Sequence, residues 1–263
     1  MAIHDYEGDA QRVYDVLKQG GISVIPSHVG YVIVACDPDA IWRIFRAKNR
    51  KPEKLNAVCG CREMHLAMHD LPDDRRAIVE AITEEWDLPM GTAAKVHMDH
   101  PAIANLPEDT LNQTTHDGTL AMLLNAGPLM DNIARLAFAD NRMAIGSSAN
   151  VSLQGVKFRP TEIEQQILDA ADITIDYGLM RWNRYNHSST MINVSDMEVI
   201  RYGSCFDLID DILRTVDHLN LTAHWAQSRA TDAQLDQVTD RILMAMHDLR
   251  TVLVKKRADK LLK

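Results

Sequence analysis

Two short apolar runs near the start of the chain constrain its fold most. Ile22-Ser-Val-Ile25 ends at Pro26, and Tyr31 to Ala35 follows a tight polar crossing at Ser27 to Gly30. Runs this short, bounded by Gly20-Gly21 and Asp37-Pro38, read as strands rather than helices. Helical patterns surround them. Val13, Val16 and Leu17 sit at helical spacing, with Asp9 as the expected cap. Asp37 and Pro38 supply a cap and a first-turn proline for a second helix, which buries Ile41, Ile44 and Phe45. A further strand is expected over Asn56 to Cys61, and helices near Asp74–Trp86 and Pro128–Phe138. Such a mixture makes an α/β or α+β domain.

The 263 residues suffice for one large domain, or one domain plus an extension, with a core that needs no disulfide or metal. The pattern changes after Gly203. Residues 1–203 carry the strands, and 204–263 read as a helical C-terminal extension. There Leu235, Val238, Ile242, Ala245, Leu249 and Val252 form a short heptad seam. It serves either a helix packed on its own domain or a contact to a second copy or a partner protein. The basic end, Lys255 to Lys263, reads as solvated.

The formal net charge is −9, and the extension holds nine charges of each sign. The first 203 residues therefore carry 19 basic and 28 acidic residues, from totals of 28 and 37. That balance argues against direct nucleic-acid binding through bulk charge. Aromatics at 5% argue against a base-stacking platform. No apolar run reaches membrane-span length, and the opening MAIHDYEGDA is unlike a signal peptide. With four cysteines in a chain this long, a cytoplasmic protein with reduced thiols is expected.

Arg43 to Lys54 is the densest basic run before the extension, six cations against Glu53. Most of such a run reads as a solvated helix face. Lys48 differs: it follows Ile41, Ile44 and Phe45 by seven, four and three residues, on the buried stripe. A lysine there either snorkels or points into a cleft. Arg50 follows at the helix exit, and two converging cations can grip a carboxylate or phosphate. Ser147-Ser148-Ala149-Asn150 ends an apolar stretch beside Gly146, where small polar side chains suit either a turn or close phosphate approach. Ser189-Thr190 precedes a strand at Met191–Val194, and Val199–Gly203, with Arg201, forms the second strand of a hairpin.

Together these segments resemble the YrdC-like family, which includes the threonylcarbamoyladenylate synthases. The family signature P-T-D-T-x-Y-G-L is matched by Pro26 to Ile33, K-x-R by Lys48-Asn49-Arg50, and S-x-N by Ser148-Ala149-Asn150. Its later S-T strand is matched by Ser189-Thr190-Met191-Ile192, and its L-R-x-G ending by Ile200-Arg201-Tyr202-Gly203. The resemblance covers about residues 10–203 and implies a twisted mixed sheet flanked by helices. It implies ATP, magnesium with the triphosphate, bicarbonate and an amine acceptor as the small molecules, and tRNA modification as the setting. It places Lys48 and Arg50 at the reacting phosphate. Ser148, Asn150, Ser189 and Arg201 fall at nucleotide-binding positions, and Ser27, Val29 and Tyr31 in the acceptor pocket. A non-catalytic nucleotide-, RNA- or partner-binding domain of the same fold is the alternative.

The chain departs from the pattern at the acceptor. T-D-T has become Ser27-His28-Val29, and the family's central G-x-R-x-P segment has become the apolar Gly118 to Asn125. Valine cannot replace a threonine hydroxyl bond, so an acceptor other than threonine is expected. Other constellations are weak. Cys59 and Cys61 share one face if both lie in a strand, and His65, His69 and the His97-Met-Asp99-His100 loop add no metal-ligand pattern. Neither a G-x-S-x-G elbow nor a Walker-type loop is present.

Overall fold

The computed structural model describes residues 4–51 and 53–215. The heptad seam and the basic end lie outside the described residues. The chain divides into units 1–206 and 207–263; of the second, residues 207–215 are described and are helical.

Helix α1 (Tyr6–Lys18) leads into β1 (Ile22–Ser27), β2 (Gly30–Ala35) and α2 (Pro38–Ala47). β3 (Ala57–Cys59), α3 (Arg62–Met68) and α4 (Asp73–Glu80) follow, and a π turn at Ala81–Glu85 continues α4. Next come β4 (Met90–Lys95), α5 (Pro101–Ala104), α6 (Glu108–Asn112), β5 (Thr115–His116) and β6 (Thr119–Leu124). The rest are α7 (Pro128–Ala139), β7 (Ile145–Ser148), α8 (Gln165–Leu168), β8 (Ile173–Thr174), β9 (Met191–Asn193) and β10 (Glu198–Arg201). The described strands form one mixed sheet in the order β10-β9-β4-β6-β3-β7-β2-β1-β8, with β5 paired to β6. α1 and α7 share a core with Val32 and Val34 of β2, and with Ile25 and Cys59. α2 packs a separate stripe of Ala40, Ile41, Ile44 and Phe45 against β2.

Several expectations are corrected. Asp5, not Asp9, caps α1: its carboxylate accepts Gly8 N–H at 2.9 Å. Asp9 lies in the first turn and instead accepts the Tyr177 hydroxyl at 2.7 Å. Pro26 does not stop β1. It pairs with Tyr31, whose N–H goes outward to Lys157 O at 2.7 Å, so the pair requires no proline N–H. β3 is shorter than expected. Cys61 lies past its end as the residue before α3, so the two cysteines do not share a strand face. His100 caps α5, accepting Ala102 N–H at 3.2 Å. Asp37 caps α2 as expected, accepting Asp39 N–H at 3.0 Å.

β7 is the seam between β2 and β3. A Cβ on Gly146 would stand 2.0 Å from Ile33 O and 2.9 Å from Val34 Cα. Backbone on both counts cannot swing aside. Gly146→Ala is expected to destabilise the fold by about 3 kcal/mol or more, read as a lowered midpoint in urea unfolding. An unchanged midpoint would contradict this packing.

Candidate functional site

The site begins with the way α2 ends. Asn49 takes a left-handed conformation, φ 49°. Arg50 N–H donates to Phe45 O at 2.9 Å and Asn49 N–H to Arg46 O at 3.1 Å. This is a Schellman cap, with asparagine where glycine is commonest. It turns the chain within two residues, after which Lys48 and Arg50 engage different partners. The usual hydrophobic contact of such a cap is supplied by the Arg50 guanidinium, 5.5 Å over the Phe45 ring.

Lys48 is only 1% exposed. It does not snorkel. Its ammonium donates to the carbonyls of Ser148 and of Asn150, the latter at 2.5 Å. In return Ser152 N–H donates to Lys48 O at 2.9 Å. The K-x-R and S-x-N segments are thereby bound to each other across about a hundred residues of chain. Arg50 donates to Leu55 O at 2.6 Å. Asn150 donates its amide to Val151 O.

Polar capacity remains unfilled around this junction. Arg50 Nε, Asn150 Oδ1, Ser147 Oγ, both amide atoms of Asn56 and Gln113 Oε1 are buried without a partner. Asn56 follows Leu55 directly and donates its N–H to Gln113 O at 2.8 Å. It also precedes Ala57, the residue opposite Gly146 in the β3–β7 register, which brings it level with Ser147. Buried polar atoms without partners are rare enough to mark a place where a polar ligand belongs. Asn56 and Gln113 were not foreseen; the one signal was an asparagine opening an otherwise apolar strand.

Arg201 and Ser189 form a second group. Arg201 donates to Ser189 O at 2.9 Å and to Ser189 Oγ at 3.0 Å. Thr190 Oγ1 accepts Gly203 N–H and donates to Ser204 O at 2.9 Å, locking the strand ends. Among the described residues no hydrogen bond joins this pair to the Lys48 group.

The residues expected at an acceptor pocket have diverse structural roles. Ser27 Oγ donates to Gly30 O at 2.6 Å and closes the β1–β2 turn. Tyr31 is fully buried; its hydroxyl donates to Gly178 O at 3.0 Å and accepts Tyr177 N–H at 3.1 Å, so it holds the 176–178 loop. Val29 is buried at the turn. His28 has the more prominent position. Its N–H donates to Ala126 O at 2.6 Å, and its carbonyl accepts Trp182 N–H at 3.0 Å. Its ring lies so close to Gly127 that a Cβ there would be 2.9 Å from it. The Asp87–Arg181 ion pair, 2.8 Å, stands beside it, with the Arg181 guanidinium 4.8 Å over the Trp182 ring. His28 Nδ1 and Trp182 Nε1 are buried without partners.

Burial sets the electrostatics. It drives the Lys48 pKa down to about 7, helped by Arg50 and opposed by Glu164. Burial also lowers Arg50 and Arg201. For His28, burial first and then Arg181 favour the neutral ring, while Asp87 opposes them. Glu164 is itself engaged by Lys157 at 2.8 Å and accepts Val151 N–H at 3.3 Å, so it straps the loop after Asn150.

Residues 15–203 match the Sua5_yciO_yrdC family, described as "Telomere recombination". No curated protein matches. Among solved structures, the hypothetical protein smu.1377c from Streptococcus mutans UA159 is 23% identical, with TM-score 0.63, covering 78% of this chain and 90% of its own. E. coli YciO is 16% identical, TM-score 0.57, with coverages of 76% and 91%. P. abyssi Sua5 complexed with L-threonine is 18% identical, TM-score 0.56, covering 73% of this chain; the match spans 52% of Sua5. At these identities the structures share the fold.

A prediction follows from the Lys48 burial. Its folded pKa is lowered, so between about pH 7 and about pH 10.4 the unfolded chain holds a proton that the folded chain lacks. Stability gains with rising pH through that window and carries the full penalty below it. Urea unfolding should show a steeper climb for the wild type than for Lys48→Met. Parallel curves would mean Lys48 stays charged in the fold.

Proposed function

The chain belongs to the Sua5/YciO/YrdC family, and on that basis we propose that it makes a carbamoyl-adenylate from ATP, bicarbonate and an amine acceptor. The family includes threonylcarbamoyladenylate synthases. The observation that carries the proposal is the buried Lys48 ammonium seated on the Ser148 and Asn150 carbonyls beside Arg50. A site for phosphoryl chemistry needs fixed cations with little freedom to reorganise.

In this reading the amine takes up carbon dioxide as a carbamate. A carbamate oxygen attacks the α-phosphorus of ATP, the bond to the bridging oxygen breaks, and pyrophosphate leaves with its electrons. Arg50, and Lys48 in its protonated form, offset charge on the phosphoryl oxygens. Asn150 and Ser148 hold the nucleotide, and Arg201, set by Ser189, contacts phosphate. Among the described residues no cluster of three or more His, Cys, Asp or Glu is placed to hold a metal. Magnesium is therefore assigned to the incoming triphosphate. His28, Val29 and Trp182 form the acceptor wall and select an acceptor other than threonine. No disulfide joins the four cysteines, all of them buried, which suits a reducing cytoplasm. The setting is tRNA modification, and the segment 204–263 is assigned to contact with a second copy or a partner protein.

A second reading, nucleotide binding without turnover, is favoured by one observation. β6 carries no arginine, and Leu123 packs against the α1–α7 core.

Lys48→Ala and Arg50→Ala are each expected to lower pyrophosphate release about 100-fold, assayed with ATP, bicarbonate and pooled amino acids. Mass spectrometry of adenylated products from labelled bicarbonate names the acceptor. ATP binding by calorimetry with no product from any acceptor would favour the second reading, and no ATP binding would sink both. Val29→Thr should reduce use of the acceptor so identified about tenfold or more. Improved use of threonine without that loss would instead make threonine the natural acceptor.

A further inference from the structure

A cavity of about 90 Å³ opens among α3, α4, the π turn and the start of α7. It shares no residue with the Lys48 group or the Arg201–Ser189 pair. A water needs about 10–15 Å³ of such space, so it takes several waters or a ligand of a few heavy atoms. His65, Asp131, Glu84 and three arginines line it.

The wall's hydrogen-bonding state can be worked out from a histidine pair. His65 Nδ1 and His69 Nδ1 are 2.8 Å apart, and His69 Nε2 faces Leu120 O at 3.3 Å. Burial holds both rings neutral, at pKa values of about 4 and about 3. A carbonyl only accepts, so His69 carries its proton on Nε2 and its Nδ1 accepts. His65 must then donate from Nδ1, which leaves His65 Nε2 as a bare lone pair. That atom is buried without a partner on a side chain 4% exposed.

Each arginine of the wall has a protein partner. Arg62 is paired with Glu80. Arg76 donates to Leu71 O at 2.9 Å and His69 O at 3.4 Å. Arg135 donates to Glu63 at 3.1 Å. The wall's buried polar atoms without a partner are both acceptors, His65 Nε2 and Asp131 Oδ1, and the exposed Glu84 carboxylate lies on the same wall. We infer that this cavity is a second binding site, for a small primary ammonium compound whose N–H donors meet His65 Nε2 and the Asp131 carboxylate.

Asp131 adds support. Burial raises its pKa to about 7, with Glu84, Glu63 and Asp87 raising it further and Arg135 opposing. A bound ammonium would supply the missing counter-charge. The geometry favours N–H donors over a bare metal ion, because no three metal-ligating side chains converge among the described residues. The inference does not rest on the ATP reading.

The test uses the full chain, histidine nitrogen NMR and ethanolamine hydrochloride as probe. Tetramethylammonium chloride, a cation without N–H donors, is the control. His65 is expected as the Nδ1–H tautomer and His69 as Nε2–H. Ethanolamine should move the His65 Nε2 resonance saturably, and tetramethylammonium should not. Asp131→Asn should weaken ethanolamine at least tenfold while ATP affinity stays unchanged. If that variant does not fold, Glu84→Gln on the exposed wall should weaken the probe several-fold. A protonated His65 Nε2, equal shifts from both cations, or wild-type probe affinity in the folded variant would each overturn the proposal.

Discussion

The Lys48 ammonium ties the end of α2 to the loop after β7. One end of the contact is a helix cap near the start of the chain, and the other is the loop after β7. An ammonium removed from water is costly unless its protons are satisfied. Here two carbonyls meet them, and Ser152 N–H returns the bond to Lys48 O. Neither segment can move without exposing the other's unmet polar groups. The positions of Arg50, Asn56 and Asn150 all follow from that junction.

The cap explains why the spacing is lysine, one residue, arginine. A Schellman turn reverses the chain over two residues and brings the residue after the αL position back against the last helical turn. With Asn49 in the left-handed region, Lys48 descends to the S-x-N loop while Arg50 lies over Phe45. A longer linker would let the guanidinium reach solvent. The motif is a consequence of helix termination, and its chemistry is borrowed from the cap.

Much of this was legible in sequence because it depends on short-range physics. The Asp37-Pro38 start, the helix stripe and the placement of Lys48 on it follow from periodicity and capping. What could not be read depends on partners distant in sequence. Whether Lys48 snorkels is decided by two carbonyls a hundred residues away. Pro26 reads as a stop until Lys157 O is known to take the Tyr31 N–H. Asp5 and Asp9 compete for one helix end, and Asp9 loses because Tyr177, far along the chain, occupies its carboxylate. The Cys59–Cys61 spacing implies one face only if the strand continues, and α3 begins at Arg62 instead. The alignment of Asn56 with Gln113 and Ser147 requires the sheet order itself.

The altered acceptor wall has an energetic consequence. A pocket built to hydrogen-bond a hydroxyl rejects ligands lacking it, because its own polar atoms would be left bare; an apolar wall discriminates far less. If the proposed acceptor sits there, Val29 offers no such bond, and selection would fall on the unmet groups His28 Nδ1 and Trp182 Nε1. With His28 neutral, the indole N–H and the Arg181–Asp87 pair set the local polarity. Residues 1–203 carry a net −9, and such a charge disfavours long polyanions more than a small anion neutralised by magnesium. In the proposed reaction, acceptor and nucleotide would be selected by different means: the first by shape and a few unpaired polar atoms, the second by cations placed where a helix ends.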